Sequence, residues 1–333
     1  MAFWRRRRAR SDDAASLPGA ALPPPSTAPG HAPGWAVGSA QGMGARDYQE
    51  DAYAVWADQD SGELHLVLAD GMGGAENGAA IAEAAVEAAR RALAESSLGK
   101  YLESTKTGPD PVLAARRALA EGNRGKYRES TKTGPDPVLA EMAETAAFDR
   151  VVDAIGEVSE GVLARHGENG GATLIACRAW ANRLWFASVG DSALFLRRDG
   201  RLFELNRRHE YRLDLWRRVL NGALTLAQAE ADPQADALAS YIGCEHLTVD
   251  RTAGPIALAP GDTLLACSDG VTDTLPLEDL RALLALEPQL AADALGRRVP
   301  AAAQEGQDNY TAVVARHYPA VAAGMEPRTG EET

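Results

Sequence analysis

The chain has little cysteine: Cys177, Cys244 and Cys267 stand far apart and without CxxC spacing, which leaves no basis for a disulfide framework or a cysteine zinc site. Cys177 and Cys267 fall inside the apolar runs "ATLIACRAW" and "TLLACSDG", where a free thiol packs as a small hydrophobe, and a reducing compartment is expected. Long apolar runs are missing too, since none approaches the roughly 18 residues that span a bilayer. The opening "MAFWRRRRAR" has the basic head of a secretory signal, yet "SDDAASLPGAALPPPSTAPG" brings acids and prolines where an apolar segment should follow, so a cytoplasmic protein is expected. The six histidines, His31, His65, His166, His209, His246 and His317, show no metal spacing. "DGMGG" is not followed by the GK[ST] of a P-loop and opens no βαβ unit, which argues against nucleotide binding of that kind. Positive charge is the scarcer sign: 34 Lys and Arg against 47 Asp and Glu give a formal charge of -13. A surface of that sign repels nucleic acid and anionic membrane, so neither is an expected partner.

What is present is ample apolar material, 45% of 333 residues, enough for one large domain or two modest ones. Residues 1–33 are rich in Pro, Ala and Ser and read as a disordered tail; Arg5 to Arg8 beside Phe3 and Trp4 offer docking on an acidic partner or membrane surface as the alternative. A single folded domain is expected over 34–318, with a loose tail over 319–333. Within it "GWAVGSA", "DAYAVWAD" and "ELHLVLAD" read as neighbouring antiparallel strands. "ENGAAIAEAAVEAARRALAE" reads as a helix with acids early and arginines late, matching the helix dipole. "EMAETAAFDRVVDAIGEVSEGVLARH" sets Phe148, Val151, Val152, Ile155, Val158 and Val162 at helical spacing. Strands return with "GATLIACRAW", "RLWFASVG", "SALFLRR" and "RLFEL". A helix "EYRLDLWRRVLNG" follows, then a short one that Thr225 and Gln228 open as a capping box. "HLTVD", "DTLLACSD" and "NYTAVVARHY" complete the strands, with helical "EDLRALLAL" and "AADALGRRV" between the last two. This order fits sheets packed together under helix pairs better than alternating βαβ units.

One block occurs twice: residues 89–114 recur as 115–140, differing only at Ser96/Gly122, Ser97/Asn123, Leu98/Arg124 and Leu102/Arg128. It holds every lysine of the chain, Lys100, Lys106, Lys126 and Lys132. Two copies are too few for a solenoid. A tandem duplication in the connection between the two long helices is expected, with "TGPDP" breaking the helix in each copy; a docking element is the alternative.

Acids gather at strand ends. "RDYQEDAY" sets Arg46, Glu50 and Asp51 before a strand, "HLVLADGMGG" ends one on Asp70, and "SVGDSALF" places Asp191 in a turn. "ACSDGVTD" supplies Asp269 and Asp273, and "EGQDNYTAV" supplies Asp308 and Asn309. Each alone reads equally as turn chemistry. If the ends converge, five or six carboxylates meet, and their repulsion requires cations. Carboxylate oxygens with no His or Cys among them select Mg²⁺ or Mn²⁺ rather than zinc. Asp70 can bridge two such ions, while Gly71 lets the backbone approach and offers its carbonyl. Two ions roughly 3.5 to 4 Å apart lower the pKa of a shared water and aim the hydroxide at phosphorus. Arg46 is placed to hold the phosphate with its planar fork.

In order and approximate spacing, "RDYQEDAY", "LADGMGG", "GGATL", "SVGDSALF", "CSDGVTD" and "QDNYTAVV" resemble the motifs of the metal-dependent protein phosphatases, the protein phosphatase 2C family, in its bacterial type. The resemblance runs from about Trp35 to about His317. It implies an α+β fold, an α-β-β-α sandwich of two antiparallel sheets flanked by helix pairs, with 34–318 as the catalytic domain. It implies removal of phosphate from phosphoserine and phosphothreonine on proteins; a monomer opposing a Ser/Thr kinase is expected. By position, Asp51, Asp70, Asp269 and Asp308 resemble the first metal's ligands, and Glu50, Asp70 and the Gly71 carbonyl those of the second. Arg46 resembles the phosphate-binding arginine, and Asp191, Asp269 and Asp273 a third-metal site. The chain departs at Met72, where animal members carry a histidine proposed as general acid; a thioether cannot donate a proton. Residues 206–243, with Arg207, Arg208, Arg212, Arg217 and Arg218, fall where members carry a variable flap; they help choose substrates or form a solvated basic face. Two alternatives stay open: a catalytically silent phosphoprotein-binding adaptor, and a hydrolase of small phosphoesters.

Overall fold

The computed structural model describes residues 34–58, 62–73, 75–96, 137–167, 169–180, 182–302 and 305–318. Both tails and residues 97–136, which hold most of the duplicated block, lie outside the described residues, and the expectations for them lie there too. The elements in chain order are β1 (Gly34–Gly42), β2 (Asp51–Asp58), β3 (Glu63–Met72), α1 (Ala75–Ser96), α2 (Pro137–His166), β4 (Gly171–Ala172), β5 (Leu174–Trp180), β6 (Arg183–Val189), β7 (Ala193–Arg198) and β8 (Arg201–Glu204). Then come α3 (Arg212–Leu220), α4 (Leu226–Glu230), β9 (Asp250–Arg251), β10 (Ile256–Ala257), β11 (Thr263–Cys267), α5 (Asp269–Thr272), α6 (Leu277–Leu283), α7 (Pro288–Ala301) and β12 (Tyr310–Tyr318).

Side chains alternate across a strand, so burial on both faces means a strand lies between two layers. β3 is buried throughout. Its Leu64, Leu66 and Leu68, with Ile175 and Cys177 of β5, meet Leu194 and Leu196 of β7, Leu264 of β11 and Val313 of β12 in a core between two sheets. The intervening residues Val67 and Ala69, with Leu174, Ala176 and Trp185, face Ile81, Ala85 and Leu93 of α1 and Phe148, Val151 and Ile155 of α2. On the far side Phe195, Leu265 and Val314 pack against Leu280 and Leu283 of α6 and Ala291 and Leu295 of α7. Three apolar layers thus separate helices, sheet, sheet and helices: the α-β-β-α sandwich. Each fully buried Leu contributes roughly 1.5–3 kcal/mol to holding the layers together.

The sheets run β1-β12-β11-β7-β8 and β10-β6-β5-β3-β2, with β4 on β3 and β9 on β6, and the strand pairs are antiparallel. β2 and β3 pair with Asp51 opposite Asp70 at one end and Asp58 opposite Glu63 at the other. The three cysteines are free. Burial pushes the Cys267 thiol up to about 12, which makes it an inert packing group. Among the described residues no helix is long and apolar enough to cross a membrane.

Two expectations differ in detail. Arg90 and Arg91 fall short of the last turn because α1 runs on to Ser96, and they pair with Glu87 at 2.7 and 2.6 Å, as i,i+3 and i,i+4 partners do. "HLTVD" pairs in a sheet only through Asp250, because the Ser240 hydroxyl takes both main-chain groups of Thr248: it donates to the carbonyl at 3.0 Å and accepts from the amide at 2.8 Å. The capping box forms: the Gln228 amide donates to Thr225 Oγ1 at 3.2 Å, and the Thr225 amide to Gln228 Oε1 at 2.9 Å.

Candidate active site

Asp51 closes the seam between the two sheets. It opens β2, yet its Oδ2 accepts from Ser268 Oγ and Thr311 Oγ1, both at 2.8 Å, residues that belong to the end of β11 and to β12. Ser268 also accepts from the Thr311 amide at 2.9 Å, so the hydroxyl that aims Asp51 also fixes where Asp269 leaves the strand. Gln41 donates to the Asp51 carbonyl at 3.0 Å and to Thr311 Oγ1 at 3.1 Å, which adds β1 to the junction.

Glu50 and Asp308 are joined through Asn309. The Glu50 amide donates to Asn309 Oδ1 at 2.8 Å, and the Asn309 amide to Asp308 Oδ1 at 2.8 Å. The other Asp308 oxygen accepts from Arg46 Nη2 at 2.6 Å, and that arginine side chain is 42% exposed. It is a cation at the rim, fixed by a charge-assisted bond that an incoming anion can take over.

On the next strand the Asp70 amide donates to Thr173 Oγ1 at 3.0 Å, and the Thr173 amide to the Asp70 carbonyl at 2.8 Å. Thr173 Oγ1 lies 2.7 Å from Ser192 Oγ, which ties Asp70 to the turn carrying the buried Asp191. Glycine after Asp70 has a steric cause: a Cβ on Gly71 would strike the Gly78 carbonyl, and one on Gly78 would strike Glu50 Oε1. The start of α1 therefore presses directly on the acids. Asp273 follows α5, its amide donating to the Asp269 carbonyl at 2.7 Å.

Residues 205–245 sit beside these strand ends. The His209 amide donates to the Gly190 carbonyl at 2.8 Å, and the Gly190 amide to His209 Nδ1 at 3.1 Å, which assigns the ring proton to Nε2. Burial, with Arg207 nearby, lowers the His209 pKa and keeps the ring neutral. Farther on, Met72 is buried with Leu238 and Tyr241, so the thioether fills an apolar contact.

Hydrogen bonds thus link the strand ends that carry Arg46, Glu50, Asp51, Asp70 and Asp308, while Asp191 directly precedes Ser192 and Asp269 directly follows Ser268, both residues of that network. The carboxylates do not close on a point: among the described residues no three acidic, histidine or cysteine side chains are grouped as a ready-made cation cage. Arg46 donates to one oxygen of Asp308, and Ser268 and Thr311 donate to one oxygen of Asp51. The donor set itself fits a hard divalent ion: carboxylate oxygens with the Gly71 carbonyl, and neither thiolate nor imidazole. Sequence reasoning missed Gly78, Thr173, Ser192, Ser268 and Thr311. Of these, Thr173, Ser192, Ser268 and Thr311 stood inside quoted motifs, as hydroxyl residues adjoining apolar runs.

Residues 44–292 match the family Protein phosphatase 2C. The serine/threonine protein phosphatase PstP of Mycobacterium tuberculosis is 32% identical over 149 residues, 44% of this chain and 28% of that one. The serine/threonine phosphatase stp of Listeria welshimeri is 29% identical over 145 residues, 43% of this chain and 56% of that one. The matched region thus spans about half or less of these curated relatives. Among solved structures, that of M. tuberculosis PstP/Ppp has a TM-score of 0.56 at 24% identity, covering 85% of this chain and 99% of that one. The catalytic domain of PstP in complex with 2 manganese ions has a TM-score of 0.55 at 23% identity, covering 85% and 98%. These likenesses show a shared fold, and with a family match over more than half of its length, the chain belongs to the protein phosphatase 2C family.

Proposed function

We propose that this chain is a metal-dependent protein phosphatase that hydrolyses phosphoserine and phosphothreonine on proteins and opposes a Ser/Thr kinase. The observation that carries the reading is the hydrogen-bond network that collects acids from five strand ends beside the exposed Arg46. Glu50, Asp51, Asp70, the Gly71 carbonyl, Asp269 and Asp308 would hold two ions, Mg²⁺ or Mn²⁺, and Asp191, Asp269 and Asp273 a third. Such ions supply, when bound, an activated water and positive charge against the phosphate. The relative PstP, solved in complex with two manganese ions, supports the reading of a two-ion site.

The chain's own part is binding and orientation. Arg46 exchanges Asp308 for the substrate phosphate and grips two of its oxygens. Ser268 and Thr311 aim Asp51, and Thr173 holds the end of β3. Met72 brings no proton to the leaving oxygen. The test is turnover of para-nitrophenyl phosphate and of a phosphothreonine peptide with Mn²⁺, with EDTA, and by Asp269→Asn. Turnover should need the metal, and the substitution should lower kcat/KM by roughly 10²–10³-fold or more. Folded protein that turns over neither substrate with Mn²⁺ or Mg²⁺ would favour the adaptor reading instead.

A further inference from the structure

The loop from Met43 to Glu50 is pinned along its length. Asn309 Nδ2 donates to the carbonyls of both Met43 and Tyr48 at 3.0 Å, while Asn309 Oδ1 accepts from the Glu50 amide at 2.8 Å. The Ala45 amide donates to the Gln307 carbonyl at 2.9 Å, and the Arg46 amide to the Met43 carbonyl at 3.1 Å. Gly44 takes φ +59 against the Asp308 carbonyl, a place where a Cβ would collide. Gln49 Nε2 donates to the Gly42 carbonyl at 3.1 Å. Such a loop has little conformational freedom left to lose when something binds it.

Yet this rigid loop holds two large apolar side chains in water. Met43 is 50% exposed and Tyr48 43%, on either side of Arg46 in sequence. Both regain free energy when an apolar group covers them. Methionine adapts to varied apolar shapes, and tyrosine offers a ring face with little side-chain entropy to lose. The charges nearby set the partner's chemistry. Asp47 is exposed on the same loop, Asp308 adjoins Arg46, and the whole chain carries -13, so acidic residues beside the bound phosphate are repelled while apolar ones are not.

We propose that Met43 and Tyr48 are specificity-determining residues that receive the side chains flanking the phosphorylated residue, so that the substrate is a phosphopeptide with apolar neighbours at that residue. The proposal rests on the phosphatase reading above and deepens it. Arg46 takes the phosphate, which every substrate shares, and the two flanking side chains distinguish one substrate from another.

The experiment compares three phosphothreonine peptides, identical except that the flanking residues are Leu, Gly or Asp, against the wild type, Met43→Ser/Tyr48→Ser and Tyr48→Phe, with Mn²⁺. Wild type should turn over the Leu-flanked peptide with kcat/KM about tenfold above the Gly-flanked one, mostly through KM, and the Asp-flanked one least. The double variant should bring the Leu/Gly ratio within about twofold of one, and Tyr48→Phe should keep most of it. Both variants retain the carbonyls that accept from Asn309, and circular dichroism checks their fold. Para-nitrophenyl phosphate, which has no flanking residues, reports the chemistry separately. Wild type indifferent to the flanks, or a double variant that keeps the preference, overturns the proposal. If nothing is turned over, the phosphatase reading fails, and fluorescence anisotropy of the same labelled peptides decides here: equal affinities overturn the proposal, and a Leu preference lost in the double variant sustains it.

Discussion

At one end of β3, Glu63 is 8% exposed and lies against Arg178, whose Nε donates to Glu63 Oε1 at 2.5 Å, and His65, whose Nε2 is 2.9 Å from the same oxygen. At the other end, about 24 Å away at the usual strand rise, Asp70 is 5% exposed and stands opposite Asp51, another acid. The Glu63 end is a row of register partners across four strands, Trp56, His65, Arg178 and Trp185. Arg178 lies 5.9 Å from the Trp185 ring centroid, and His65 meets Trp56 edge-on at 4.6 Å. Burial raises the Glu63 pKa, but His65 and Arg178 outweigh it and hold the carboxyl at about 2. At the Asp70 end the donors to Asp51 are neutral hydroxyls, and the cation, Arg46, stands at the rim. An acid matched by a buried cation belongs to the architecture; acids aimed by neutral donors keep their charge for something arriving from solvent.

That contrast can be broken first at Arg178. Arg178→Met leaves Glu63 buried beside His65 alone and should cost about 3–5 kcal/mol in urea unfolding. Arg178→Met with Glu63→Gln should recover much of that loss, since an uncompensated charge is the main cost. If the single variant unfolds like the wild type, Glu63 is not a structural acid.

A smaller effect separates the two ends by pH. The Glu63 pKa is lowered from 4.5 to about 2, so its contribution is fully present above about 4.5 and is lost as pH falls toward about 2. The stability gap between wild type and Glu63→Gln should therefore narrow through that window. A constant gap would remove the ion pair as its cause. Smallest is the expected change at the other end: Asp70→Asn in EDTA should leave stability unchanged or raise it by up to about 1 kcal/mol, because it relieves repulsion with Asp51. A loss of several kcal/mol would place Asp70 with the structural acids and erase the contrast.

Much of this was legible in residue patterns and part was not, for physical reasons. The alternation of Leu64, Leu66 and Leu68 with Val67 and Ala69, and the Phe148, Val151, Ile155 stripe, are local periodicities, so the layers could be read from them. The acids were visible because they sit where apolar runs begin or end. Asn309 is different: its amide serves Met43, Tyr48 and Glu50 from more than 250 positions away, and a side chain's distant partners leave no periodic trace. The Arg178–Glu63 pair was not legible either, because its members lie 115 positions apart. Ser240 likewise diverted Thr248 from a ladder that the alternating "HLTVD" favoured.

The separation of the two ends bears on how such a gene can change. α1 leaves the acids and, over 22 residues, reaches the far end of the sheet; α2 begins there at Pro137, near the bonds from Arg183 to Glu144 and Trp185 to Thr145. The duplicated block joins these two helix ends. Its 52 residues, 89–140, contain none of the acids expected at the site, so a reporter or an affinity tag grafted within it would interrupt no site motif.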